Sequence, residues 1–139
     1  MVREIKFRAK TVTTDSWVYG HYAFVDGFHV IYEGTSNPVI IKLNTLGEYT
    51  GLKDKNGQGC CEIYEGDILG FCDFDSLRTG GNTSDKMHTA VVKFSEGSWV
   101  VEDGGYCDYL YQVIANDSEL EIIGNIYENP ELLVVDSNV

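Results

Sequence analysis

The sequence predicts a mainly β fold: a twisted antiparallel sheet forming a partly open barrel, with one short helix near residues 108–116. Three observations carry this expectation. Short apolar runs alternate with turn signals, among them Asp26-Gly27, Asn56-Gly57 and Glu96-Gly97. Nine tyrosines and many Val and Ile residues favour strands over helices. The runs are numerous enough for three or more hairpins with apolar faces, which a sheet needs to be stable by itself.

Taken in order, Ile5, Phe7 and Ala9 alternate with Lys6 and Arg8 and predict a first strand. A polar turn covers Thr11 to Ser16. Trp17–Val25 and Phe28–Glu33 flank the two-residue turn Asp26-Gly27 and predict a hairpin. Gly34 to Pro38 is a loop, and Val39–Leu43 is a short buried strand. Asn44-Thr45 is placed to cap one helical turn. Gly47–Leu52 and Glu62–Phe71 then flank a tight turn at Asp54-Lys55-Asn56-Gly57. A second turn at Glu65-Gly66-Asp67 leads into Ile68-Leu69-Gly70-Phe71, a buried strand.

Residues 75–87 are polar and rich in Gly, Ser and Thr, which predicts a flexible exposed loop. His88–Phe94 and Ser98–Glu102 form a second hairpin around Ser95-Glu96-Gly97, with Trp99 in the core and Asp103-Gly104-Gly105 ending it. Asp108 is the expected helix cap, and Leu110, Val113 and Ile114 share one helical face. Asn116-Asp117 stops the helix, and Leu120, Ile122 and Ile123 mark a last strand. Asn129-Pro130 disfavours further regular structure. The tail from about residue 134 is expected to fray.

A length of 139 residues with 43% hydrophobic content fits a single domain over residues 1–139. The net charge of −12 opposes binding to nucleic acid, where Lys and Arg must neutralise phosphates. It equally opposes an anionic membrane surface. It fits a basic protein partner, a protein imitating the charge of DNA, or simple solubility through self-repulsion. No apolar run reaches the roughly 18 residues of a membrane span. The N-terminus has no signal-peptide core, so a cytosolic protein is expected.

Motifs that carry chemistry are scarce. Cys60, Cys61, Cys72 and Cys107 lack the paired spacing of a structural zinc site. Reduced thiols in a cytosolic protein are the plainer reading. His21, His29 and His88 each lie in or beside a predicted strand, outside any recognisable catalytic motif. Asp54-Lys55-Asn56-Gly57 begins like a calcium loop, but its glycine is fourth rather than sixth and flanking helices are missing. Phosphate-binding and nucleophile-elbow motifs are lacking. No catalytic, cofactor-binding or metal-ligating residue is therefore assigned. Two groups are worth following into the structure. Glu62, Glu65, Asp67, Asp73 and Asp75 are close enough in sequence for a paired acid and base. Tyr49, Thr50, Lys53, Asp54, Glu65 and Asp67 form either a partner-binding face or a set of turn-forming and packing residues.

Tyr49-Thr50-Gly51-Leu52-Lys53-Asp54-Lys55-Asn56-Gly57, followed by Glu62-Ile63-Tyr64-Glu65-Gly66-Asp67-Ile68, closely resembles the signature of the YopX family, small proteins of phages and prophages. Ile5-Lys6-Phe7-Arg8-Ala9 resembles the family's opening, and the stretch from Ile123-Gly124-Asn125 to Glu131-Leu132-Leu133 resembles its close. Here Gln58-Gly59-Cys60-Cys61 stands between the Asn-Gly turn and the Glu-Ile-Tyr segment, where the family passes almost directly. The resemblance brings no catalytic residues and no cofactor. It implies a phage- or prophage-encoded accessory protein. With the acidic charge, it points to a non-enzymatic binding module acting on a host or phage protein in the bacterial cytoplasm. Exposed sheet edges add an expectation of a homo-oligomer. The alternatives are a small hydrolase or metal-dependent enzyme using the carboxylates from Glu62 to Asp75, or an acidic DNA-mimic inhibitor.

Overall fold

A computed structural model describes residues 4–54 and 61–133. The chain divides into two compact units, Met1–Gly51 and Leu52–Val139, and each has its own apolar core. Strands dominate, as expected, and all the pairings are antiparallel. They fall into two sheets, neither of which closes into a barrel among the described residues.

In the first unit the strands are β1 (Phe7–Lys10), β2 (Trp17–Val25), β3 (Phe28–Tyr32), β4 (Val39–Ile40) and β5 (Gly47–Lys53), hydrogen-bonded in the order β4-β3-β2-β1-β5. The β2–β3 hairpin forms where Asp26-Gly27 predicts it. Both turn residues have positive φ, 51° and 85°, the pair a tight turn between twisted strands requires. The strand expected over Val39–Leu43 is shorter than that. Regular pairing stops at Ile40, Ile41 makes an isolated bridge to Thr11, and Leu43–Thr45 is one 3-10 turn. The Thr45 hydroxyl explains the break, because it donates to the Lys42 carbonyl (2.6 Å) and accepts from the Lys10 N–H (2.9 Å). Ala9, Val18, Ile31 and Ile41 form the core.

Strand β5 runs on into the second unit, where β6 (Glu62–Tyr64) lies beside it. The Asn56-Gly57 turn falls outside the described residues. The second sheet contains β7 (Asp67–Cys72), β8 (Met87–Ser95), β9 (Ser98–Asp103), β10 (Tyr106–Tyr109) and β11 (Glu121–Asn125), in the order β10-β9-β8-β7-β11. A one-turn helix α1 (Asp75–Arg78) lies between β7 and β8, and α2 (Leu110–Asn116) follows β10. Interior strand β7 buries Ile68, Leu69 and Phe71 almost completely. Each such side chain stabilises the fold by about 1.5–3 kcal/mol. Leu110, Val113 and Ile114 of α2 add to the same core at helical spacing.

Two expectations are corrected here. Asp103-Gly104-Gly105 does not end the second hairpin; it turns the chain into a third strand, β10, paired with β9 from Tyr106↔Asp103 to Tyr109↔Val100. Consequently Asp108 does not cap the helix, which starts at Leu110. Its carboxylate instead accepts from the Tyr109 N–H (2.7 Å) and the Tyr106 hydroxyl (3.1 Å). Residues 75–87 contain α1 and a group of short polar bonds, in which the Thr83 hydroxyl meets Asp75 Oδ2 at 2.9 Å.

Candidate functional site

Four of the six residues singled out in the central motif are buried. Tyr49 and Thr50 lie inward on β5, at 5% and 7% exposure. Asp67 closes the turn before its own strand, with Oδ2 accepting the Tyr64 N–H at 2.8 Å. Asp54 Oδ2 accepts the Ile122 N–H at 3.2 Å, while Oδ1 is buried with no partner among the described residues. Only Lys53 is exposed, and Glu65 is half-buried. Turn geometry and packing thus account for most of the motif.

The five carboxylates also separate. Glu62 Oε1 accepts the Tyr64 hydroxyl (3.1 Å) and Asp67 is used in its turn. Asp73 and Asp75 line a cleft of about 700 Å³; Glu62, Glu65 and Asp67 do not. Asp73, Phe74 and Asp75 contribute from the segment after β7, Tyr106 and Asp108 from β10, and Gln112 and Asn116 from α2. Phe74 enters with φ 51° and ψ 38°, a left-handed conformation that is strained for an aromatic residue by about 1–2 kcal/mol. Among the described residues, no group of three or more His, Cys, Asp or Glu is arranged to hold a metal ion. Cys107 is an exposed free thiol at the rim, and Cys60 lies outside the described residues.

Beside the cleft lies an arrangement with no local sequence signature. His88 on β8 places Nε2 2.9 Å from Asp73 Oδ2 and Nδ1 3.1 Å from Asp103 Oδ2. The ring stacks on Tyr106, with centroids 4.0 Å apart, and on Phe71 at 5.4 Å. Asp73 Oδ1 accepts two further bonds, from the N–H groups of Asp75 (2.9 Å) and Lys86 (3.1 Å). Burial raises the Asp73 carboxyl, but the bonds from His88, Lys86 and Asp75 outweigh it and hold the group below its usual range. Both ring nitrogens lie within hydrogen-bond distance of a carboxylate oxygen.

Asp73, His88 and Asp103 are spaced fifteen residues apart, a distance no motif encodes. What joins them is register. The β7–β8 pairing sets Phe71 against His88, and the turn at Asp103 brings Tyr106 back over the ring. The sequence reading singled out Asp73 as one of five carboxylates and missed His88, Asp103, Tyr106 and Asp108 as neighbours.

No helix among the described residues is long and apolar enough to cross a membrane. No curated protein matches the sequence. The model of one protein family, described as YopX protein, matches residues 4–134, a span that covers most of both compact units and every strand among the described residues. The central turn motif, the buried strand it leads into and the closing Gly-Asn segment all lie within that span, and the chain belongs to the YopX family.

Proposed function

We propose that this protein is a phage- or prophage-encoded accessory protein acting in the bacterial cytoplasm as a non-enzymatic binding module, and that its acidic cleft receives basic side chains of a protein partner. One observation carries the reading. Residues 1–51 hold five acidic and five basic residues, so the whole net charge of −12 belongs to residues 52–139, the unit that contains the cleft. A concavity combining Asp73, Asp75 and Asp108 with the rings of Phe74 and Tyr106 suits a lysine or arginine side chain, by charge and by cation–π contact.

The test is a titration with a lysine-rich peptide and a glutamate-rich control, followed by fluorescence anisotropy. The lysine-rich peptide is expected to bind, and Asp75→Asn with Asp108→Asn to weaken it about fivefold. Equal behaviour of the two peptides overturns the reading. A pulldown from lysate with and without nuclease separates the alternatives: a DNA mimic captures DNA-binding proteins regardless of nuclease, and a hydrolase turns over a substrate without a retained partner.

The proposal extends to self-association. The tip of the β2–β3 hairpin exposes Phe24 (62%) on one face, and Val25 (37%) and Phe28 (53%) on the other. A second copy of the chain is our proposed occupant of these apolar residues.

A further inference from the structure

His88 ties two segments that line or adjoin the cleft. Asp73 closes the neck of the excursion between β7 and β8: its N–H donates to the Lys86 carbonyl (3.0 Å) and its carboxylate accepts the Lys86 N–H (3.1 Å). Asp103 opens the turn between β9 and β10, which leads directly to Tyr106 in the cleft wall. The ring between them is 10% exposed.

An ionised carboxylate only accepts hydrogen bonds. Two carboxylates on one ring therefore require two N–H donors, and only the imidazolium form supplies both. A neutral ring keeps one N–H and turns a lone pair toward the other carboxylate. Histidine is the side chain whose charge ordinarily changes between pH 5 and 8. The titratable and charged described groups facing the ring are Asp73 after β7, Asp103 at the end of β9, and Tyr106 on β10, whose hydroxyl is bonded to Asp108. Phe71 of β7 packs on the ring without charge.

The two carboxylates are not equivalent. Asp73 is 11% exposed, lies closer to the ring and is fixed by two backbone N–H groups. Asp103 is 30% exposed and more accessible to water. The bond that survives loss of the ring proton is therefore the one to Asp73.

We propose that the Asp73–His88–Asp103 bridge is a pH-operated latch. The protonated ring holds the β7–β8 neck to the β9–β10 turn; the neutral ring stays with Asp73 through Nε2–H and releases Asp103. Raising the pH unfastens the turn at Asp103-Gly104-Gly105, on the Tyr106 side of the cleft, and leaves the neck closed. The consequence for the cleft rests on the binding reading above; the latch itself does not.

Nuclear magnetic resonance of the full chain tests it. As the pH rises from 5 to 9, the His88 ring nitrogens are expected to report the Nε2–H tautomer. The Gly104 and Gly105 amide resonances are expected to shift in step with the ring. The Lys86 and Asp75 amides stay protected. In Asp103→Asn the ring still titrates and the response of the two glycines disappears. A ring that titrates as the Nδ1–H tautomer, or glycine amides that ignore it, overturns the latch. Lysine-rich peptide affinity is measured over the same range. Absence of binding at every pH overturns the binding reading alone, since the amide signals decide the latch without any ligand.

Discussion

At the scale of single residues, the closing motif of the family has a mechanical explanation. Asn125 Oδ1 accepts the N–H groups of Tyr127 (3.0 Å) and Glu128 (2.9 Å), and Asn129 Oδ1 returns to accept the Asn125 N–H (3.2 Å). This brings the Asn129 side chain directly over Gly124. A β-carbon there would lie 2.5 Å from Asn129 Oδ1, inside any real contact. Gly124→Ala is expected to displace Asn129, leave the Asn125 N–H unsatisfied and lose about 1–3 kcal/mol in chemical denaturation. A loss under about 0.5 kcal/mol, the level of an uninvolved surface change, would show that the asparagine moves aside freely. Asp67→Ala makes a related test. It leaves the buried Tyr64 N–H without its acceptor, and a similar loss is expected in the same assay. The residue types here were legible in the sequence as turn formers. Which acceptor each would serve was not, because that depends on chain reversals several residues away. Asp108 shows the limit well: an aspartate before an apolar helical face reads as a cap, yet its oxygens serve Tyr106 and Tyr109.

At the scale of elements, the hairpins could be read from local chemistry. Asp26-Gly27 and Glu96-Gly97 each supply the two positive φ angles that a tight turn needs, with no contribution from distant residues. Strand β10 could not, because its partner had to be known before Tyr106-Cys107-Asp108-Tyr109 made sense as a strand. The β7–β8 neck yields a prediction about acid. The Asp73 carboxyl is held below its reference value of 3.8, so the folded state binds its proton less readily than the unfolded chain does. The resulting stabilisation is fully present above the unfolded value and disappears as the pH falls through the lower folded one. Wild type and Asp73→Asn, compared by urea denaturation, should converge as the pH falls from about 5 to below about 4. A gap that persists unchanged to pH 2.5 would mean the carboxylate's charge contributes nothing to the neck.

At the scale of the whole molecule, two features stand apart: the charge confined to one unit and the apolar hairpin tip of the other. If the cleft takes basic side chains as proposed, that binding is expected to weaken as ionic strength rises from about 20 to about 300 mM, which brings the Debye length below roughly 10 Å. The self-association proposed above would depend on Phe24 and Phe28. Sedimentation velocity is expected to find an oligomer for wild type and a smaller species for Phe24→Ser with Phe28→Ser; a monomer for both removes the self-association proposal. The order of strands also bears on synthesis. The first unit has all its internal strand pairs once Lys53 has left the ribosome, whereas β7, an interior strand of the second sheet, acquires β8 early but waits for β11, at Glu121–Asn125, to cover its other side. Chains emerge at roughly 5–20 residues per second. For several seconds each nascent copy therefore carries an open edge on its most apolar strand. Such an edge is a template on which a strand of another chain can pair.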